Sequence, residues 1–202
     1  MQSLDSWMRY VPAAVNDAYR SFEWVLSNGS QWNADVNKLI VSGMSAGANL
    51  AAVVCHKAKK AGLSNKIKLQ VLNCPSLDNP THQSQYASYE KYATGYFQTR
   101  DFITFTQNTY ADPETFSDPE FAPMLNTDLR DLPPAVIIMA EFDVFHDEDQ
   151  RYSARLRDAG GKVWSRCFPG QIHCLVGLKP EAPEMKEITK LVHSAMSKTL
   201  KK

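Results

Sequence analysis

The stretch LIVSGMSAGANLAAVV, residues 39–54, determines the fold class that the sequence predicts. Its first three residues are aliphatic and predict a short buried strand. Its last residues are rich in alanine, which favours a helix. Between them lies the pattern G-x-S-x-G, from Gly43 to Gly47. A serine at such a strand-to-helix turn is held on a sharp bend with its hydroxyl exposed, so Ser45 is the candidate nucleophile.

The residues beside Ser45 have predicted roles of their own. A Cβ at Gly43 or at Gly47 is expected to clash in the tight turn, which would require glycine at both positions. The backbone N–H of Ala46 opens the following helix, where unpaired N–H groups can donate to an oxyanion. A glycine-rich turn without chemistry is the simpler alternative. The strand before the motif and the helix after it favour the nucleophile.

Short apolar strands alternate with helical patterns along the chain. The predicted strands cover residues 38–42, 67–73, 135–140 and 162–168, and the predicted helices cover residues 12–28, 48–61, 100–110, 147–159 and 184–200. This alternation indicates βαβ units and a mostly parallel sheet of about four strands flanked by helices. The fold class is therefore α/β, and residues 1–202 are expected to form a single domain.

Residues 79–131 interrupt the alternation. They hold many aromatic side chains and several prolines, with one short predicted helix. A long excursion of this kind between two strands is typical of a lid or cap inserted over a site. An ordinary surface subdomain with a small core of its own fits the pattern equally well.

A serine hydroxyl needs a base and an acid to become a nucleophile, and in this class of fold they follow in the order serine, acid, histidine. Asp143 comes just after the third predicted strand and His173 just after the fourth, so both belong to the edge of the sheet where such sites are built. Glu141 is expected either to support the site or to bind backbone. The remaining acids are expected in the first turn of a helix, with structural roles: Asp147, Glu148 and Asp149. The remaining histidines do not follow the last strand and are expected to be structural or solvated: His56, His82, His146 and His193.

Composition excludes several classes of protein. Twenty-two basic and 22 acidic residues give a net charge of zero, which argues against nucleic-acid and membrane-surface binding. No apolar run is long enough to span a bilayer, and residues 1–10 do not resemble a signal peptide. The chain has four widely spaced cysteines: Cys55, Cys74, Cys167 and Cys174. They form no zinc motif, and their pattern predicts a reduced, cytoplasmic protein without a metal. Disulfide bonds between them stay open.

Together these motifs resemble the hormone-sensitive-lipase-like group of α/β-hydrolases, also called the family IV esterases. GMSAGANLA at 43–51 is similar to the group's GDSAGGNLA elbow. LPPA at 132–135 and AEFD at 140–143 are similar to its acid segment, and RLRDAG at 155–160 precedes the loop that carries His173. The resemblance covers essentially the whole chain. It implies an α/β-hydrolase fold, a serine nucleophile and no cofactor.

The sequence departs from the group's pattern in three ways. Met44 and Ala48 replace the usual Asp and Gly beside the nucleophile, and Cys174 replaces a common Gly after the histidine. The largest departure is that no H-G-G-G loop precedes the elbow, which leads us to expect an N-terminally truncated, partial fold. That loop would give the second oxyanion donor, and losing one donor costs about 3–4 kcal/mol of transition-state stabilisation. The first strand would also expose an edge, which favours self-association.

The expected function is hydrolysis of small carboxylic esters by Ser45, His173 and Asp143 through an acyl-enzyme. Amides and lactones are open alternatives, because the same triad attacks them. Two other functions fit the residues: a non-catalytic binding module that keeps the triad by descent, and a peptidase of the prolyl-oligopeptidase type. The absent oxyanion loop favours the binding module, and the intact triad favours the enzyme.

Overall fold

The computed structural model describes residues 11–201, so predictions about residues 1–10 lie outside the described residues. Its sheet has four strands, all parallel, in the order β1-β2-β3-β4. The strands are β1 (Leu39–Met44), β2 (Ile67–Asn73), β3 (Ala135–Phe142) and β4 (Val163–Ile172). The helices are α1 (Ala13–Asn28), α2 (Ala46–Lys60), α3 (Ala87–Lys91), α4 (Arg100–Tyr110), α5 (His146–Asp158) and α6 (Pro183–Thr199). This architecture confirms the predicted α/β class with four strands flanked by helices.

The two faces of the sheet are covered by different helices. On one face α1, α2 and α5 contribute Phe22, Ala52 and Leu156 to a large apolar cluster. On the other face Ala195 and neighbouring residues of α6 pack against a second cluster. The first six residues of β3 are buried, as expected for a central parallel strand that has helices on both sides.

The end of β4 lies further along the chain than the sequence predicts. The predicted fourth strand ends at Phe168, but the structure continues it through Pro169 and Gly170 to Ile172. The register shifts between Ala140 and Phe142 of β3, and Phe142 then pairs with Ile172. Proline and glycine are tolerated at such an irregularity, particularly in a strand that pairs on one side.

In the described part of the chain β1 lies at the edge of the sheet, pairing with β2 alone. A groove runs beside it, with Phe22 of α1 and Leu50 of α2 on its walls. Met44, the last residue of the strand, is 57% exposed. The polar groups on the free side of β1 are therefore available to another strand.

Residues 79–131 carry α3 and α4 with several short 3₁₀ turns. One apolar cluster joins Tyr86, Tyr89 and Tyr92 to Phe145, and another lies within the segment around Phe121. The segment is therefore fixed to the main domain and also has a small core of its own. Among residues 11–201 no helix has the length and apolar character needed to cross a membrane.

Candidate active site

Ser45 lies between the end of β1 and the start of α2, as the motif predicts. Its φ of 54° is in the left-handed region, which a non-glycine residue occupies only when its surroundings enforce it. Its N–H donates to the carbonyl of Asn73 at 2.8 Å, which ties the turn to β2. A Cβ built at Gly43 would lie 2.0 Å from the carbonyl oxygen of Gly47, so position 43 requires glycine.

The prediction for Gly47 is wrong. Among residues 11–201, a Cβ built there meets no heavy atom within 4 Å beyond its neighbours in the chain and the adjacent backbone of its own helix. Gly47 is exposed and lines the groove beside β1, so open space lies where the sequence predicted a clash. The close approach in the turn involves the backbone of Gly47, which fills the space that a side chain at Gly43 would need.

The structure brings the three predicted triad residues together. His173 Nε2 lies 2.9 Å from Ser45 Oγ, and His173 Nδ1 lies 2.7 Å from Asp143 Oδ2. The histidine is 3% exposed and the aspartate 1%. Asp143 also accepts a hydrogen bond from the N–H of Phe145 at 3.1 Å, and the ring of Phe145 meets the imidazole edge to face. These contacts hold the Asp143 carboxylate and the His173 imidazole in the orientation that the triad needs.

The fold explains why residues so distant in the sequence meet. Ser45 and His173 are 128 residues apart, and His173 and Asp143 are 30 apart. Each of the three residues comes directly after the last residue of a strand: Ser45 after β1, Asp143 after β3 and His173 after β4. In a parallel sheet these ends lie at one edge, which is where α/β proteins place their sites.

His173 has a strongly shifted pKa. Burial lowers the pKa, but the hydrogen bond to Asp143 and the neighbouring Cys174 outweigh burial and raise the pKa to about 9. The cause is electrostatic, because a carboxylate 2.7 Å away favours the imidazolium over the neutral ring. The shift makes the imidazole a stronger proton acceptor towards Ser45.

A cavity of about 410 Å³ opens in front of Ser45. Ala46, the first residue of α2, lies on its wall, and the first N–H groups of a helix have no acceptor within the helix. The segment 79–131 also lines the cavity, with four apolar or aromatic side chains and three polar ones: Phe102, Ile103, Tyr110, Phe121, Gln98, Thr106 and Gln107. The cavity therefore combines polar groups around Ser45 with a largely apolar surface.

Asn49 connects the helix after the nucleophile to the cavity wall. Its side-chain amide donates to the carbonyl of Ser76 at 2.7 Å and to that of Phe121 at 2.9 Å. Ser76 and Phe121 both line the cavity. One side chain of the elbow motif thus fixes two separate loops of the cavity wall.

The other acids near the site have structural contacts. Glu141 Oε2 accepts the N–H of Gly170 at 2.8 Å, which is the backbone role that the sequence left open. Asp147, Glu148 and Asp149 lie in the first turn of α5, as predicted. Asp147 accepts the N–H of Ser88 at 2.9 Å, which fixes α3 to α5.

Glu148 and Asp149 are more deeply buried than acids in a helix first turn usually are, and no local sequence pattern predicts this burial. Glu148 is fully buried and accepts hydrogen bonds from Leu77 N–H at 2.7 Å and from Tyr89 O–H at 3.1 Å. Burial raises the pKa of Glu148 to about 8, against the lowering effect of these two donors. Burial also raises the pKa of Asp149 well above its ordinary value, and neither of its carboxyl oxygens has a hydrogen-bond partner among the described residues.

The remaining histidines lie in structural or solvated positions, as the sequence predicts. His56 contacts Tyr152 at 2.9 Å inside the core, and His82 contacts Asp78 at 2.9 Å in the inserted segment. His146 contacts the carbonyl of Ala140 at 3.0 Å, and His193 is exposed on α6. None of these contacts involves Ser45 or Asp143.

Two cysteines join the site, and sequence spacing did not predict this. The sulfurs of Cys74 and Cys174 and a ring nitrogen of His173 all lie within 4.8 Å of one another. Both ring nitrogens of His173 already have partners in Ser45 and Asp143, so a metal ion would compete with those contacts. All four cysteines are free thiols.

Comparison with known proteins places this geometry in a family. A family model described as the alpha/beta hydrolase fold matches residues 8–177. The chain is 34% identical over 177 residues to carboxylic ester hydrolase LipN of Mycobacterium tuberculosis, covering 83% of this chain and 45% of LipN. It is 28% identical over 168 residues to an arylesterase of Saccharolobus solfataricus, covering 82% of this chain and 53% of that protein. The chain thus spans about half the length of these curated relatives.

Solved structures show the same relationship. A thermostable esterase from Pseudomonas putida ECU1011 superposes with a TM-score of 0.86 at 32% identity, covering 96% of this chain and 61% of that chain. The thermostable carboxylesterase EstE1, cloned from a metagenomic library, gives a TM-score of 0.85 at 29% identity, covering 93% of this chain and 64% of that chain. The chain therefore belongs to the alpha/beta hydrolase fold family, within its hormone-sensitive-lipase-like group of esterases.

Proposed function

We propose that this protein is a carboxylic-ester hydrolase in which Ser45, His173 and Asp143 act as a catalytic triad. The observation that carries the proposal is the position of His173, whose two ring nitrogens lie 2.9 Å from the Ser45 hydroxyl and 2.7 Å from the Asp143 carboxylate. This is the arrangement by which a base activates a serine and an acid orients the base.

The mechanism follows from these contacts. Ser45 Oγ attacks the ester carbonyl while His173 Nε2 takes its proton, and Asp143 stabilises the imidazolium. The N–H of Ala46 donates to the oxyanion. The imidazolium then protonates the departing alkoxide, which leaves an acyl-enzyme on Ser45. Water, deprotonated by His173, hydrolyses that intermediate and restores the serine.

The substrate that fits the cavity is a small ester. The chamber of about 410 Å³ is lined largely by apolar and aromatic side chains, which suits an acyl chain or an alcohol group without charge. Two relatives carry names of the same kind, arylesterase and ethyl acetate hydrolase. Residues 79–131 act as a lid in this proposal, because Phe102 and Phe121 from that segment line the same cavity as Ser45.

The oxyanion hole of this proposal includes the N–H of Ala46, which opens α2 and lines the cavity. Loss of one donor from such a hole lowers the rate by about 10²–10³-fold, so each donor matters for turnover. The second candidate function is a hydrolase-fold binding module without turnover.

The test is covalent labelling with a fluorophosphonate, followed by peptide mapping. We expect Ser45 to be labelled in the folded protein, and we expect no label at that position after Ser45→Ala. Asp143→Asn keeps the size of the side chain and should slow labelling and ester turnover by orders of magnitude. Folded protein whose Ser45 stays unlabelled, while a relative with the H-G-G-G loop is labelled in parallel, would refute the catalytic proposal for this chain.

The free edge of β1 supports a further proposal, that two copies of this chain associate through it. The strand pairs on one side in the described residues, and the groove beside it carries Phe22, Leu50 and Val54. An unpaired edge next to apolar side chains is a common route to strand pairing between chains.

A further inference from the structure

Cys74 and Cys174 form a pair at the edge of the proposed active site. Cys74 comes directly after β2, and Cys174 comes directly after His173. The N–H of Cys174 donates to Cys74 Sγ at 3.2 Å, and the two sulfurs lie within 4.8 Å of each other. The contact joins residues 100 positions apart, so the fold itself creates the pair.

The two thiols differ in accessibility and in acidity. Cys174 is partly exposed, and a hydrogen bond from the Cys74 thiol lowers its pKa against the opposing effect of burial. Cys74 is fully buried, and its hydrogen bond to Cys174 together with burial raises its pKa well above the ordinary value. An accessible thiolate beside a protected thiol is the arrangement found in redox-sensing cysteines, where one sulfur reacts with the oxidant and the other resolves it.

The other two cysteines lack this arrangement. Cys55 is fully buried in α2, and burial raises its pKa. Cys167 lies on β4 with His146 Nδ1 3.8 Å from its sulfur, and burial raises its pKa as well. Both are therefore suited to serve as internal controls.

We propose that Cys74 and Cys174 are a peroxide-sensitive thiol pair whose disulfide switches the hydrolase off by displacing His173. The switch rests on the proposed function, because it acts on ester turnover. The formation of the disulfide can be measured independently of any activity.

The chemistry balances with a hydroperoxide as the oxidant. The Cys174 thiolate attacks the outer peroxide oxygen, the O–O bond breaks, and the departing alkoxide or hydroxide takes a proton from water or buffer. Cys174 is now a sulfenic acid. The Cys74 sulfur attacks the sulfenic sulfur, the S–S bond forms, and the hydroxide that leaves takes the Cys74 proton to form water. The two sulfurs have lost two electrons in total, and the peroxide has gained them.

Closure of the disulfide should move the base. An S–S bond is about 2.05 Å long, so sulfurs that now lie up to 4.8 Å apart must approach each other. Cys174 has a φ of 58° and Cys74 a φ of 43°, so both backbones are already in tight, sterically restricted turns. His173 is bonded covalently to Cys174, and a displacement of about 1 Å is enough to cost about 10²-fold in rate.

The experiment compares the reduced full chain before and after hydrogen peroxide, with ester hydrolysis and non-reducing peptide mapping measured on the same samples. We expect a peptide linked through Cys74 and Cys174, a loss of hydrolysis of about 10²-fold, and recovery of both after dithiothreitol. Cys167→Ser should behave like the parent. Peroxide should leave the hydrolysis rate of Cys174→Ser at the value measured for that variant before treatment, and it should give no linked peptide. Cys174→Gly is the second variant, since glycine accepts the positive φ at this position.

The outcomes separate the switch from the proposed function. An active reduced protein in which peroxide gives no Cys74–Cys174 link would overturn the inference and leave the esterase intact. A linked protein with unchanged hydrolysis would overturn the switch. If the reduced protein hydrolyses no ester, the proposed function fails and the switch fails with it, while the mapping still decides whether the thiol pair forms a disulfide.

Discussion

Glu148→Gln tests whether a carboxyl group is held protonated beneath the site. Glu148 is fully buried, and its two oxygens accept hydrogen bonds from Leu77 N–H and Tyr89 O–H. Glutamine has the same shape. Its oxygen can accept from Leu77, and its amide can donate to the Tyr89 oxygen. The substitution therefore removes the ionisation and retains the packing.

The magnitude follows from the pKa of Glu148. Burial, opposed by the Leu77 hydrogen bond, raises this pKa from an ordinary 4.5 to about 8. The folded protein thus holds the proton up to about pH 8, whereas the unfolded chain releases it near pH 4.5. The contribution to stability is complete below pH 4.5 and is lost as the pH rises through 8. At about 1.4 kcal/mol per pH unit, the loss is about 3 kcal/mol at pH 7 and about 5 kcal/mol above pH 8.

The assay is urea unfolding of the parent and the variant at several pH values between 5 and 8. We expect the free energy of unfolding of Glu148→Gln, relative to that of the parent, to increase with pH by up to about 1.4 kcal/mol per unit. Tyr89→Phe provides a matched variant, because it removes a hydrogen-bond donor to the Glu148 carboxylate. The pKa of Glu148 should then rise further, and the parent's loss of stability should extend to higher pH. A difference between Glu148→Gln and the parent that does not vary with pH would refute a buried protonated acid.

Three further predictions concern the site and the sheet edge. Because catalysis needs neutral His173 and its pKa is about 9, kcat/KM for ester hydrolysis should rise with pH through about 9 and then level off; a rise centred near pH 6 would contradict the shift. Gly43→Ala should abolish labelling of Ser45 and destabilise the fold, while Gly47→Ala should do neither, as thermal unfolding and fluorophosphonate labelling will show. Ser42→Lys, at an exposed position of β1, should weaken concentration-dependent association in sedimentation velocity, and an unchanged association constant would argue against pairing through this edge.

The elements that the sequence predicted well are those defined by local pattern. Residues 39–54 carry a strand, a glycine turn and a helix in succession, and each has its own propensity signal. The strand ends that hold Asp143 and His173 could be located because parallel strands alternate with helices, which puts their carboxyl ends at one edge. The far end of β4 could not be predicted, since its pairing with Phe142 depends on a register shift in β3 that has no local sequence pattern.

Burial created by distant residues explains the features that the sequence missed. Glu148 looks like an acid in a helix first turn, and only Leu77 and Tyr89, 71 and 59 positions away, make it a buried acid. Cys174 likewise acquires its partner from a strand end 100 residues earlier.

The two glycines of the elbow show the same limit within a single motif. The pattern G-x-S-x-G treats Gly43 and Gly47 alike, yet the carbonyl of Gly47 fills the space beside Gly43, while the space beside Gly47 is open in the described part of the chain. The backbone of Gly47 thus sets the steric requirement at Gly43. That backbone takes its position only when β1 and α2 have formed. A pattern of residue types can therefore locate the turn, but only the packed turn shows which of its glycines is required.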